Sequence, residues 1–160
     1  MMAMITIRPA TLADAQILLD WRNNDISRSA SLSRDEILFE EHLAWLAGVL
    51  EDADRTLYVA LDDGDPAGTS RFDIEGGGAE VSINLNPAYR GRGLSLPVLR
   101  ASIEQFFVDR RRRMPLTAQI RSSNAASIAI FTRVGFAHQH SHDGVGHYLL
   151  ASAPSLSAIC

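Results

Sequence analysis

Residues 84 to 95 read Asn-Leu-Asn-Pro-Ala-Tyr-Arg-Gly-Arg-Gly-Leu-Ser. A strand-like run, Ala79 to Leu85, feeds into them, and an amphipathic helical pattern from about Ser95 to Arg110 follows. Strand, glycine-bearing turn and helix start together present unpaired backbone N–H groups to an anion. Arg90 and Arg92 add two cations at that helix N-terminus, where positive charge is unfavourable without an intervening anion. The chemistry indicated is a grip on a phosphate-bearing ligand. A plain strand-to-helix turn, its glycines serving only the backbone, is the other reading; it leaves the arginines unexplained.

The loop is not the common nucleotide P-loop. That motif needs Lys-Ser or Lys-Thr after its last glycine, whereas Leu94-Ser95 follows Gly93 and the chain has no lysine. A dinucleotide fingerprint is also excluded, because G-x-G-x-x-G is absent and the strand lies in mid-chain. Arg90-x-x-Gly93-x-Ser95 remains, a pyrophosphate cradle without an evident metal ligand.

Composition narrows the class. A chain of 160 residues is expected to form one domain with a real core, and its 46% apolar content is ordinary. The net charge of −4 gives no global basic field for nucleic acid. Arg110 to Arg113 is the one dense basic run; it closes a predicted helix and reads as a solvated end. The single cysteine, Cys160, permits no intrachain disulfide and fits a reducing cytosol. No apolar run approaches the ~20 residues of a membrane span, and no signal peptide is visible, so a cytoplasmic protein without membrane partners is expected.

The elements that must position the loop follow from periodicity. Ile5–Arg8 alternates as a short strand, and Thr11 to Asp14 resembles a capping box. The helix behind it buries Leu12, Ala15, Leu18 and Leu19 and ends near Asn23-Asn24. A polar turn, Asp25 to Ser33, leads to a second helix, about Arg34 to Leu50, with Ile37, Leu38, Leu43, Leu46, Ala47 and Leu50 as its apolar stripe. Thr56–Leu61, Pro66–Ile74 and Ala79–Leu85 form an antiparallel meander. The long helix turns Leu96, Leu99, Ile103, Phe106 and Phe107 inward. Leu116–Arg121 must then run parallel to Ala79–Leu85, because a helix crosses between them. Asn124 opens a helix through Val134, Gly135 caps it, and Phe136–His142 with Val145–Ala151 closes as a hairpin. The order is β-α-α-β-β-β-α-β-α-β-β: a mixed α/β sheet, mostly antiparallel with one central parallel pair, flanked by helices. Residues 152–160 read as a frayed tail.

Three blocks in register carry a family resemblance. Ile7-Arg8-Pro9-Ala10-Thr11-Leu12-Ala13-Asp14, Arg90-Gly91-Arg92-Gly93-Leu94-Ser95 and Asn124 through Phe136 resemble the opening, the acetyl-CoA loop and the second block of GNAT-superfamily N-acetyltransferases. Trp21-Arg22-Asn23 and Phe39 to Trp45 look like the RimJ/RimL-like branch, and most like amino-sugar N-acetyltransferases acting on nucleotide-linked deoxyaminosugars, as in pseudaminic acid synthesis. The resemblance implies a single GNAT-like domain over residues 1–151. Acetyl-CoA would be the co-substrate, with no metal, a small-molecule amine as acceptor, and a homodimer as one form. It implies that the amides of Gly91, Arg92, Gly93, Leu94, Ser95 and Leu96 hold the pyrophosphate, with the Arg90 and Arg92 side chains supplementing them. The pantetheine arm would bond the backbone of Ile83 to Leu85, and Asn124, Ser127 and Phe131 would line the CoA side. Two residues depart from the pattern. Ser95 replaces a glycine or alanine, and Phe131 stands where the family has the tyrosine that protonates the leaving thiolate; phenylalanine has no proton to give.

On the acceptor side, an alkyl ammonium must lose a proton before it attacks a thioester. Glu80, at the start of the strand bordering the cleft, is the first candidate base, and His42 the second. A solvent-facing strand glutamate and a polar helix flank are the alternative readings. Trp21, Arg22 and Asn23 are expected in the acceptor wall, although Trp21 also fits a core position and Arg22 a helix cap. Phe39 and Trp45 read as packing residues. His138, His140 and His142 would share one face of a strand, a spacing that raises zinc; no carboxylate or cysteine completes a site, though Asp143 and His147 are near, and a polar hairpin face is the favoured reading, so no metal is expected. Rival readings are a protein N-terminal acetyltransferase of the ribosomal type and a non-catalytic acyl-CoA-binding module, which Phe131 favours.

Overall fold

A computed structural model describes residues 4–24 and 37–151. The expected polar turn, the first residues of the second helix and the tail lie outside these residues. The elements are β1 (Ile5–Pro9), α1 (Ala15–Asn23), α2 (Phe39–Glu51), β2 (Arg55–Asp62), β3 (Asp65–Glu75), β4 (Gly78–Leu85), α3 (Ser95–Arg110), β5 (Leu116–Arg121), α4 (Ala125–Val134), β6 (Ala137–His142) and β7 (Val145–Leu150). They follow the predicted order. One seven-stranded sheet runs β1-β2-β3-β4-β5-β7-β6. Every pairing is antiparallel except β4 with β5. The tight turns at Asp63-Gly64 and Asp143-Gly144 have positive φ at both residues, as two-residue hairpins require.

Strand alternation gives the sheet two different faces. Tyr58, Ser70 and Ile83 form one cross-strand row on the face that α3 and α4 cover. Phe72 stacks on Phe106 at 4.2 Å, and Val81, Leu99, Ile103, Leu116, Ala118, Phe131 and Phe136 complete that core. Two polar pairs pin α3 to it: Ser70 Oγ donates to Ser102 Oγ at 2.8 Å, both buried, and the Tyr58 hydroxyl donates to Asp109. Burial and that carboxylate raise the Tyr58 pKa far above its usual range, so the phenol keeps its proton. On the other face α2 packs over β2 and α1 packs against α2 and reaches β4, burying Ala15, Leu18, Trp21, Leu46, Val49, Leu57 and Val59. Thr11 and Asp14 close a capping box, and Arg8 donates both its terminal nitrogens to Asp14 at 2.8 and 2.9 Å.

Three packing expectations are corrected. Leu12 is 53% exposed, because its turn is a 3-10 helix that points it outward. The stripe of α2 is rotated: His42, Leu46 and Val49 are buried, while Leu38, Leu43 and Leu50 are exposed. Covering β2 decides the rotation, since Leu46 and Val49 must meet Leu57 and Val59. Phe39 is likewise exposed rather than packed. The arginine run is not simply solvated: Arg110 donates to Thr56 Oγ1 at 2.7 Å and lies over Phe106, and Arg113 lies over Phe107.

The parallel pair is very short. Only Ala79↔Leu116 and Glu80↔Thr117 are in register, whereas the other side of β4 pairs with β3 along its whole length. Beyond Glu80 the two strands diverge, leaving the β5-facing edge of Val81–Leu85 without a strand partner among the described residues. Close backbone approach fixes the junction. Ala79 N–H donates to the Pro115 carbonyl at 3.0 Å, and a Cβ on Gly78 would sit 2.7 Å from that same oxygen. Gly78→Ala is therefore expected to destabilise the fold by about 1–3 kcal/mol. Gly48→Ala, in open space on α2, should be neutral or stabilising by up to about 1 kcal/mol. Paired urea denaturation curves check both.

His42 gives a second expectation. Burial holds its pKa below the usual histidine value; the Ala15 backbone hydrogen bond opposes that shift and the charge of Arg22 adds to it. A depressed folded-state pKa means that the unfolded chain binds more protons below about pH 6.5, so this stability is present at pH 7 and falls on acidification. Asp14, held low by Arg8, acts in the same direction but only below about pH 4. Between pH 7 and 5, His42→Gln should flatten the loss of stability; an unchanged slope would refute the assignment.

Candidate active site

The cradle is built at the end of β4. The Asn86 side chain accepts from Ala88 N–H and donates to the Pro66 carbonyl at 3.0 Å, tying the turn to β3. Gly91 and Gly93 have φ of 78° and 72°, values that side chains rarely tolerate. Leu94 is buried against Leu85, Val98, Ala60 and Ala67, which anchors the loop to the sheet. The first bond entering α3 runs from Val98 N–H to the Leu94 carbonyl at 2.9 Å, so the amides of Ser95 and Leu96 precede the helical ladder. Pro97, next in line, has no N–H, and its ring fits a first helical turn. The result is a turn of exposed backbone donors at the positive end of a 16-residue helix. This donor set fits a pyrophosphate, and the edge of Val81–Leu85 from which β5 has diverged fits an extended arm carrying amides.

The two loop arginines differ in direction. Arg92 is exposed at the loop tip, its guanidinium 4.9 Å from the Tyr89 ring. Arg90 is half-buried; its Nη1 donates to Asn24 Oδ1 at 3.1 Å and its Nη2 reaches Asn84 Oδ1 at 3.4 Å. The second block is placed by capping and packing. Asn124 Oδ1 accepts from Ser127 N–H at 3.2 Å, capping α4. Phe131 is buried edge-on to Phe136, with ring centroids 5.1 Å apart.

The face of the sheet opposite α3 carries the acceptor-side candidates. Alternation along β4 puts Glu80, Ser82 and Asn84 on it, and along β5 Thr117, Gln119 and Arg121. Glu80 sits at the last paired position before the strands part, and Gln119 donates to its two oxygens at 3.3 and 3.4 Å. Asp73, opposite Glu80 on β3, is held by Arg55 at 3.2 Å and by Arg71 at 3.1 Å. Both guanidinium groups lie over Trp45, at 6.0 and 5.6 Å from its centroid.

Other predicted residues are placed elsewhere. Trp21 is buried between α1 and α2. Asn23 clasps Ile37, donating to its carbonyl at 2.7 Å and accepting from its N–H at 2.8 Å. Arg22 lies close enough to His42 to disfavour its protonation, and His42, 5% exposed, has a buried Nε2 without a partner among the described residues. The three histidines of β6 do not share a face. A bulge at Gln139 sets His138 against Tyr148, while His140 stacks on His147 at 4.4 Å. Among the described residues no group of three or more His, Cys, Asp or Glu could hold a metal. Sequence reasoning missed Asn24, Asn84 and Gln119. The alternation of β4 and β5 would have placed the latter two on the face of Glu80; nothing local pointed to Asn24.

Comparison with known proteins agrees with this geometry. No curated protein matches the sequence. The fold is shared with an aminoglycoside acetyltransferase solved with coenzyme A, at a TM-score of 0.78 and 22% identity over 92% of this chain and 95% of the other. It is shared too with a spermidine N-acetyltransferase from Vibrio cholerae solved with CoA and spermine, at 0.81 and 15% identity over the same shares. The family model for the acetyltransferase (GNAT) domain matches residues 4–137, spanning β1, the cradle and α4. With the split strands, the amide cradle and that match in agreement, the chain belongs to the GNAT family of acetyltransferases, whose co-substrate is acetyl-CoA.

Proposed function

We propose that this chain transfers an acetyl group directly to the primary amine of a nucleotide-linked amino sugar, in the manner of the RimJ/RimL-like, pseudaminic-acid type of the family. The observation that carries the proposal is the charge of the open sheet face. Among the described strand residues of that face, Arg55, Arg71 and Arg121 stand with Asp73 and Glu80, and Asp73 serves two of the arginines. Such a floor suits an acceptor that brings its own phosphates, with Trp45 as a flat surface beside it. It suits a polycation poorly, which separates this chain from the neighbours whose substrates are aminoglycosides or spermidine. The cytosol, where nucleotide sugars and acetyl-CoA meet, is the compartment we assign.

Acetyl-CoA, when bound, supplies an activated thioester. The amides from Gly91 to Leu96 and the Arg92 guanidinium hold its phosphates, and the free edge from Ile83 to Leu85 holds its arm. Asn124 and Ser127 shape the start of α4, which we assign to the CoA side. From Glu80 to Leu85 is about 17 Å of strand, at ~3.3 Å per residue, so an arm anchored at the cradle and lying along this edge ends near Glu80. The Glu80 carboxylate takes the proton that the acceptor ammonium must lose, directly or through one water. Gln119 keeps that carboxylate facing the gap. His42 is set aside as base because it is enclosed between α1 and α2.

A thiol-release assay with acetyl-CoA and a UDP-linked amino sugar, N-terminal peptides or spermidine tests the acceptor. Turnover confined to peptides or spermidine would overturn the amino-sugar assignment. Tight acetyl-CoA binding with no release from any amine would make the protein a binding module. Glu80→Gln is expected to lower kcat/KM about a hundredfold near pH 7. The deficit should narrow toward pH 10 as the amine loses its proton unaided; a variant as fast as the parent at pH 7 removes Glu80 from the mechanism.

A further inference from the structure

The two arginines of the loop do different jobs. A side chain recruited to bind the donor's phosphates would lie at the loop tip with the free amides, as Arg92 does. Arg90 turns the other way. Its guanidinium forks between two amide oxygens, one on Asn24 directly after α1 and one on Asn84 on the open face of β4. Asn84 shares that face with Glu80 and Ser82. Asn24 follows Asn23, whose side chain clasps Ile37 and so joins the two described ends of the α1–α2 connection. Burial makes Arg90 a weaker base than a free guanidinium, as expected for a cation withdrawn from water. The backbone that carries it is fixed: Arg90 N–H bonds the Pro87 carbonyl at 3.3 Å, and Asn86 ties the preceding turn to Pro66.

Building on the acetyl-transfer reading above, we propose that Arg90 is a positioning residue that couples the donor loop to the acceptor wall, rather than a ligand of the donor's phosphates. When the amides of Gly91 to Leu96 close on an anion, the loop stiffens, and Arg90 transmits that order to the end of α1 and to the Asn84 side chain. Donor binding then prepares the surface against which the amine docks. The coupling is reciprocal, because each site biases the same element. Only a planar fork reaches both amide oxygens at once; a lysine in its place serves one.

The test compares the parent with Arg90→Gln, Arg90→Lys and Asn24→Ala. Calorimetry should give acetyl-CoA affinities within about threefold of the parent for all of them, because the backbone cradle is intact. Hydrogen exchange should show acetyl-CoA slowing the amides of residues 20–24 in the parent by about threefold or more. Arg90→Gln and Asn24→Ala should abolish that protection, and Arg90→Lys should restore part of it. With a UDP-linked amino sugar as acceptor, KM should rise about tenfold in Arg90→Gln, with kcat within about threefold. The double variant should be no worse than either single one, as expected for two ends of one contact. A tenfold or greater loss of acetyl-CoA affinity in Arg90→Gln, with flatter salt dependence, would make Arg90 a phosphate ligand and overturn the proposal. Undiminished protection at residues 20–24 would overturn it equally. Failure of the parent itself to bind acetyl-CoA would instead sink the acetyl-transfer reading, and the coupling with it.

Discussion

The site depends on one constraint: β4 and β5 touch at two residue pairs and then part. A backbone edge left unpaired inside a sheet is costly unless something satisfies it. Here the cost is held open by geometry on both sides. At the junction, the approach of Gly78 to the Pro115 carbonyl leaves no room for a side chain and locks the strands together. Beyond it, β4 is held by β3 along its full length and β5 by β7 along its full length. Each strand follows its own partner, and the gap is the result. The cradle lies at the open end of that gap because β4 runs straight into the turn at Asn86.

This arrangement explains why the two faces differ so strongly. The α3 side must close over the gap, and it does so with the Phe72–Phe106 stack and a continuous apolar cluster reaching Phe131 and Phe136. Among the described residues two polar pairs are committed to it: Ser70 and Ser102 satisfy each other, and the Tyr58 hydroxyl donates to Asp109. Past β2 the described side chains of the opposite face are polar, and the end of α1 approaches β4 there. Within it the charges are not equivalent. Asp73 is taken by Arg55 and Arg71, so its negative charge is spent locally. Glu80 faces an amide donor instead, which orients a carboxylate without neutralising it. The proposed role of Glu80 as proton acceptor draws on that asymmetry.

What was legible in the sequence was whatever local chemistry decides. The β5 boundaries match the expected ones, α4 begins behind its Asn124 cap as read, and the turns fall on Asp-Gly pairs. The cradle was legible for the same reason: glycine spacing and a helix start are properties of a dozen residues. The failures share a different cause. The rotation of α2 depends on which of its faces meets β2, and leucines on both sides of the helix made the stripe ambiguous. The bulge in β6 breaks an alternation that the histidine spacing could not reveal. Arg90 and Arg92 are two residues apart in identical company, and only the third dimension sends one to the tip and the other inward.

Phe131 bears on how the proposed reaction can proceed at all. Its ring lies in the core against Phe136, and it offers no proton to a departing thiolate. A thiol of pKa ~8.5 is nevertheless a far better leaving group than an amine whose conjugate acid has a pKa near ~10. Which bond breaks is then decided by the nitrogen. While it keeps its extra proton it can be expelled as neutral amine, and nothing is gained. Once that second proton has left, to water or to a Glu80 carboxylate that has already passed the first to solvent, expulsion of nitrogen becomes the harder path and the carbon–sulfur bond gives way. In the proposed mechanism a base at the vertex of the split, relaying protons to water, therefore serves both steps: it generates the nucleophile and then commits the adduct forward. An acid on α4 becomes dispensable, which is why a chain with phenylalanine at this position can keep every other part of the site.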